Sequence, residues 1–146
     1  MESTLVGVID AALAAQNATI AAESLGLGAV YVGAVRNRPE ELADLLHLPS
    51  GAFPVVGIAL GHPDPADRAG IKPRLPQDVV LHRETYLAAP DESIVDYDAA
   101  VRTYYAGQGT AHGWIGTILG RIRNAATLRG RAAMRGALER RGLASR

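Results

Sequence analysis

Residues 5–37, LVGVIDAALAAQNATIAAESLGLGAVYVGAVRN, carry a long apolar helix, its stop and a short strand in one run. Leu5, Ile9, Leu13 and Ile20 fall on one helical face, and alanines fill most of the gaps. This predicts a helix over Leu5–Leu25. It is apolar almost all round, which argues burial on more than one side. Asp10, Gln16, Asn17 and Glu23 then need partners, and a subunit contact is one source of them. Gly26 and Gly28 end the helix, because glycine readily takes the left-handed conformation of a C-cap. Ala29–Val35 follows as a short strand containing Val30, Tyr31 and Val32. Gly26-Leu27-Gly28 also looks like the start of a dinucleotide fingerprint, but that motif follows a strand and opens a helix. Here the order is reversed, so the glycines read as a helix stop.

Downstream, Asn37-Arg38-Pro39-Glu40-Glu41 opens a second helix, with proline in its first turn and acids near the positive end of its dipole. It ends before Pro49. Phe53–Leu60 reads as a second strand, continuous enough in apolar character to be interior, with Pro54 near its start. Residues 61–76 form a loop with four of the eight prolines. Asp78–His82 fits a short strand. Glu92–Tyr105 and Trp114–Arg141 fit two helices around the link Gly107–Gly113. The last has an apolar stripe from Ile115 through Ile118, Leu119 and Ile122 to Ala137 and Leu138. Its glycines at 116, 120, 130 and 136 each cost about 1 kcal/mol relative to alanine, so it depends on a docking surface.

A chain of 146 residues fits one domain, read as residues 1–146 with a core over 5–86 and a helical extension over 91–146. Hydrophobic residues at 48% and charged residues at 21% are ordinary for a globular protein and too apolar for disorder. The absence of cysteine excludes disulfides, thiolate metal sites and cysteine nucleophiles from these residues. The longest uncharged stretch near the N-terminus, Ala11–Ala22, is twelve residues, against about 20 for a membrane span. No basic residue precedes Arg36, unlike a signal peptide. The expectation is a cytoplasmic protein without a membrane segment.

The formal net charge of zero hides an asymmetry. Residues 1–98 hold six Lys/Arg and fourteen Asp/Glu, a balance of −8, whereas residues 99–146 hold nine Arg and the single acid Glu139, a balance of +8. Such a split fits either a basic tail seeking nucleic acid or membrane or two surfaces of one assembly that attract each other. The C-terminal arginines alternate with a conventional apolar stripe, and Trp114 is the only clear stacking residue near them. The second reading is therefore preferred.

No side-chain catalytic constellation emerges. His47, His62, His82 and His112 share no metal-like spacing, and Ser3, Ser24, Ser50, Ser93 and Ser145 include no nucleophile elbow. Lys72-Pro73-Arg74 is different. In an extended segment residues i and i+2 point the same way, roughly 6.6–7 Å apart, and proline favours extension. Lys72 and Arg74 would then present two cations side by side, suited to a phosphate monoester. A solvated basic loop is the alternative that spacing alone leaves open.

The blocks Gly7-Val8-Ile9-Asp10, Ala15-Gln16-Asn17-Ala18, Ala21 to Gly28, Val30-Tyr31-Val32-Gly33 and Arg36-Asn37 run together as in the nitroreductase/flavin-reductase family. Leu60-Gly61, Lys72-Pro73-Arg74-Leu75-Pro76, His82, Tyr86, Tyr97, Tyr104-Tyr105 and Trp114 follow in that family's order. The chain resembles the C-terminal part of that family over nearly its whole length. The resemblance implies part of an α+β fold with a long buried helix, short strands and C-terminal helices that wrap a partner subunit. Two intertwined subunits build FMN sites at their interface. It also implies hydride transfer from NAD(P)H through bound FMN to nitroaromatics, quinones or free flavin. By position, Lys72 and Arg74 match residues that hold the FMN phosphate. Tyr31, Val32, Gly33 and Ala34 match the strand end that lines the isoalloxazine through backbone N–H groups. The redox chemistry would be the flavin's own, consistent with the lack of a catalytic acid, base or nucleophile.

Three departures stand out. The family's His-Arg-Ser-x-Arg segment, which grips phosphate and ring, is not among these residues. The stretch Ala106–Gly113 has no arginine, although some relatives use arginines there to select the NADPH 2′-phosphate. Ala34 stands where a second glycine is common. The expected partners are accordingly a second copy of the chain or a separate N-terminal half, plus a small-molecule electron acceptor. A non-catalytic remnant serving as a dimerisation protein is the competing reading.

Overall fold

The computed structural model describes residues 1–67 and 70–143; Arg68, Ser145 and Arg146, counted above among the charged residues and serines, lie outside the described residues. The chain forms two compact units, Met1–Ala66 with Asn124–Arg146, and Asp67–Arg123.

In the first unit, α1 spans Glu2–Ser24. Its stop is the one the glycines predict. Gly26 takes φ +76°, its N–H reaches the Glu23 carbonyl, and the Leu27 N–H reaches the Ala22 carbonyl, both at 3.0 Å. That pair of bonds is a Schellman motif, which satisfies carbonyls the helix end would leave open. β1 covers Gly28–Val32 and is shorter than the expected Ala29–Val35 at its far end, because Gly33–Arg36 curl into a 3₁₀ turn. Two arginines hold that turn: Arg36 donates to the Val55 carbonyl at 2.5 Å and Arg131 to the Gly33 carbonyl at 3.2 Å.

α2 spans Pro39–Leu45 with Pro39 at its start. It ends at a second Schellman-type cap, in which His47 occupies the left-handed region at φ +53° and Leu48 N–H bonds the Ala43 carbonyl at 2.8 Å. β2 is confined to Gly57–Gly61, not the expected Phe53–Leu60. Pro54 has no N–H to give a ladder, and the Ala52 and Val55 carbonyls are taken by Arg141 and Arg36. β2 pairs antiparallel with β1 from Gly28↔Gly61 to Val32↔Gly57. Among the described residues the sheet has only these two strands. β2 is thus an edge strand there and not an interior one; a run of apolar residues signals burial but cannot count neighbouring strands.

The expected single helix Trp114–Arg141 is broken. α5 covers Trp114–Ile122, short 3₁₀ turns occupy Ala126–Leu128 and Arg131–Ala133, and α6 runs Met134–Arg140. The break has local causes. Asn124 and Thr127 bond each other's backbone N–H through their side chains at 3.1 and 3.2 Å, a reciprocal cap that competes with helix continuation. Arg129 and Gly130 then take φ +52° and +91°. α6 docks on α2 and the turn after it. Arg140 makes a two-pronged ion pair with Glu40 at 2.6 and 2.8 Å. Arg141 donates to the carbonyls of Leu48, Pro49 and Ala52. The basic C-terminal segment therefore does meet an acid of the N-terminal portion.

Ala15, Ala22, Pro39, Ala43 and Ala137 are the buried apolar residues among those described in this unit, so its core is built of small side chains. α1 turns only Ala15, Thr19 and Ala22 inward, while Leu5, Ile9, Leu13 and Ile20 are each more than half exposed. Burial of that stripe requires surface from outside the described residues. α1 is also long and apolar enough to cross a membrane by length and composition alone, contrary to the expectation from its twelve-residue uncharged run. Core helices of soluble proteins share that length and composition.

In the second unit, Gln77–Val80 form a one-turn helix, α3, where a short strand was expected. Pro76 precedes it and Asp78 lies in its first turn, both favourable at a helix start. α4 spans Asp91–Gly107, close to the expected Glu92–Tyr105. Tyr97, Asp98 and Val101 are its buried residues.

Candidate functional site

The Lys-Pro-Arg segment lies in the second unit against α4. Lys72 and Arg74 are exposed while Pro73 and Leu75 are half-buried, the alternation an extended chain imposes when one side faces the protein. Two tyrosines of α4 hold the backbone. The Tyr104 hydroxyl donates to the Gly70 carbonyl at 2.9 Å and the Tyr97 hydroxyl to the Pro73 carbonyl at 3.4 Å, the second being long for an O–H···O bond. A third, Tyr105, receives the Lys72 ammonium 5.0 Å above its ring, within cation–π range. Among the described residues Arg74 forms no ion pair.

α4 and α5 are joined by Asp98. Its carboxylate accepts from Arg102 Nε at 2.7 Å and from the Ile115 backbone N–H at 2.7 Å, capping the start of α5. These bonds, the Arg102 one foremost, hold its pKa below the ordinary aspartate value. The Arg102 guanidinium closes over Gly113, where a Cβ would lie 2.7 Å from its carbon. Edge-on contact of Tyr97 with Trp114 at 5.5 Å completes the junction. His112 sits edge-on to Tyr105 at 4.9 Å and bonds Thr117 through Nε2 at 3.0 Å.

The other predicted residues lie in the first unit. Tyr31 and Val32 end β1, while Gly33 and Ala34 begin the 3₁₀ turn, so the presumed strand end is half strand and half turn. The first N–H groups of such a turn have no partner within it. The Tyr31 side chain is committed to α1: its hydroxyl donates to Gln16 Oε1 at 3.2 Å and lies 3.1 Å from the Thr19 hydroxyl. What Tyr31 can offer a ligand is therefore backbone. A Cβ on Gly33 would stand 3.3 Å from Arg36 and 3.9 Å from Arg131 guanidinium nitrogens, so two positive groups flank the turn. Buried Arg131 Nε and Asn37 Oδ1 have no hydrogen-bond partner among the described residues.

The structure thus brings Lys72 next to Arg74 along one extended segment, and Tyr31 through Ala34 along one strand-turn junction. The sequence reading missed Arg131, Arg36 and Asp98 as supports. An Asp–Arg pair four apart on a helix was visible at 98 and 102. Contacts between Arg131 and Gly33, 98 residues apart, left no local signal.

Comparison with known proteins is consistent along the chain. Residues 3–62 match the nitroreductase family and residues 72–146 match the nitroreductase family, C-terminal domain. The FMN reductase [NAD(P)H] of Bacillus subtilis is 52% identical over 106 residues, covering 71% of this chain and 42% of its own length. The oxygen-insensitive NADPH nitroreductase of Salmonella typhimurium is 43% identical over 109 residues, 75% of this chain and 45% of that protein. Among solved structures, NfrA2 of B. megaterium superposes with a TM-score of 0.87 at 39% identity, over 97% of this chain and 56% of its own. The NADPH:FMN oxidoreductase of Vibrio harveyi, complexed with NAD⁺, gives 0.85 at 36% identity, over 99% and 58%. The chain spans about half the length of the curated relatives it matches. With both parts of the family matched in order and the α+β fold shared, this chain belongs to the nitroreductase family.

Proposed function

We propose that the chain supplies the phosphate-holding segment and one ring-lining turn of an FMN-dependent oxidoreductase. That enzyme takes hydride from NAD(P)H and passes electrons to nitroaromatics, quinones or free flavin. The observation that carries this reading is the pair of exposed cations, Lys72 and Arg74, on one side of a backbone pinned from the other. A phosphate monoester offers up to two negative charges and three acceptor oxygens; the two side chains offer two positive charges and several N–H donors. The Gly33–Arg36 turn fits a heteroaromatic ring edge: its first backbone N–H groups have no partner within the turn, two guanidiniums stand nearby, and the neighbouring Asn37 Oδ1 and Arg131 Nε have no hydrogen-bond partner among the described residues. FMN, when bound, supplies the redox chemistry itself. The task of these residues is to hold its phosphate, orient its ring edge and keep that edge in a positive field.

Further polar contacts to the flavin come, on this reading, from sequence outside these 146 residues, in a second copy, a separate polypeptide or a longer one. Residues 1–146 act as one functional domain, a core over 5–86 with the helical extension 91–146. The docking of α6 on α2 ties the end of that extension to the core. A cytoplasmic setting follows from the need for reduced nicotinamide cofactor. Anaerobic mixing with FMN and NAD(P)H tests the proposal: loss of the oxidised flavin's visible absorbance is expected, with Lys72→Ala/Arg74→Ala raising the FMN concentration required. Absence of bleaching at saturating FMN, with and without an N-terminal half from a relative, refutes it. The exposed stripe on α1 favours one second reading, a non-catalytic pairing protein. Association in solution without any FMN-dependent rise in melting temperature would select that reading.

A further inference from the structure

We propose that three tyrosines of α4 are positioning residues for the phosphate grip, with Tyr105 holding the Lys72 ammonium and Tyr97 and Tyr104 holding the backbone beneath it. The inference rests on the reading of Lys72 and Arg74 as a phosphate site and names what organises that site. Tyr97 and Tyr104 are seven residues apart, two helical turns, so they share a face and lie about 10.5 Å apart along the axis. The carbonyls they reach, Pro73 and Gly70, are three residues apart, roughly 10 Å in an extended chain. The spans match, so the segment runs antiparallel along the helix with each end tied to a hydroxyl.

That tie sets side-chain direction. Tying the Gly70 and Pro73 carbonyls restrains the backbone between them, and Lys72 and Arg74 are left on the exposed side. Lysine has about 2 kcal/mol of rotamer entropy to lose when it is held. Tyr105 removes part of that freedom before any ligand arrives, by placing its ring face under the ammonium. The ring is itself braced, edge-on contacts from Tyr104 at 5.2 Å and His112 at 4.9 Å meeting it. The contact takes one side of the ammonium, and the other N–H donors remain for an anion.

Lys72 is the only lysine in the chain, so reductive ¹³C-dimethylation labels one side chain besides the terminal amine. Ring current from Tyr105 is expected to move the Lys72 methyl resonance upfield of free dimethyl-lysine. Tyr105→Phe keeps that displacement, Tyr105→Leu abolishes it, and Tyr104→Phe, which removes one exposed hydroxyl, reduces it. In parallel, affinities for FMN and for riboflavin, which lacks the phosphate, are compared by flavin fluorescence on unlabelled protein. The unsubstituted chain should prefer FMN. Tyr105→Leu should lose about two- to five-fold of that preference, the scale of one exposed cation–π contact, with riboflavin binding unchanged and Tyr105→Phe restoring it. Equal affinity of the unsubstituted chain for FMN and riboflavin overturns the phosphate reading and the proposal with it. A preference that survives Tyr105→Leu intact, or a Lys72 resonance that does not respond to it, overturns the proposal alone.

Discussion

Replace Gly130 by alanine and the added methyl has nowhere to go. The residue sits at φ +91°, and an ideal Cβ there overlaps the Asn37 carbonyl oxygen and lies 3.3 Å from its carbon. The obstacle is backbone, not the end of a flexible side chain. Two costs combine. Left-handed backbone is unfavourable by roughly 1–2 kcal/mol for a residue with a Cβ. Relieving the overlap requires moving the 126–133 turns away from Asn37, comparable to overpacking at about 1–3 kcal/mol. The sum is about 2–5 kcal/mol, a large share of the roughly 5–15 kcal/mol that holds a typical domain together. Gly116 is the internal control. It lies within α5 with nothing within 4 Å of its Cβ position, and Gly116→Ala should stabilise by up to about 1 kcal/mol through helix propensity alone. Urea unfolding followed by far-UV circular dichroism measures both. Because Arg131 adjoins Gly130 and bonds the Gly33 carbonyl, Gly130→Ala should also perturb Gly33–Arg36 amide resonances, and Gly116→Ala should not. A Gly130→Ala protein destabilised by less than about 1 kcal/mol, below the cost of the φ value alone, would refute the steric argument.

Other expectations can be tested alongside. His47 caps α2 at φ +53°; His47→Gly should stabilise by about 0.5–1 kcal/mol, read as a higher melting temperature, and no rise would show that the imidazole compensates. Arg141→Met removes three carbonyl partners and should cost about 1.5–3 kcal/mol, with faster amide exchange at Gly51, whose N–H bonds the Arg141 carbonyl. The Asp98 pKa is lowered in the fold, so its contribution is fully present above the unfolded aspartate value and is lost as pH falls through the folded one. Asp98→Asn should therefore flatten the acid limb of the stability-versus-pH curve and lower stability at neutral pH; an unchanged acid limb would count against this role.

Much of the fold was legible where the cause is local. Gly26 announced the end of α1, Pro39-Glu40-Glu41 announced α2, and the run from Glu92 onward announced α4. What escaped was decided at a distance. The shortening of β2 depends on Arg36 and Arg141 taking carbonyls that a ladder would use. The break before α6 combines a local Asn124–Thr127 cap with a left-handed Gly130 pressed on Asn37. An apolar stripe reads straight through both. For the candidate site, period-two geometry foretold that Lys72 and Arg74 share an exposure, and the structure agrees. That Tyr105 would lie beneath the ammonium could not be read, since nothing in the order of residues says which face of α4 the segment crosses. The flavin assignment came from likeness to a family; spacing alone left a solvated loop open.

The inside-out arrangement of α1, alanines inward and Leu5, Ile9, Leu13 and Ile20 outward, has a thermodynamic corollary. Whatever covers that stripe stabilises the native state by mass action. If the cover is another copy, the midpoint of unfolding should climb with protein concentration. Dilution then acts as a denaturant, and a melting temperature measured at one concentration describes the sample as much as the molecule.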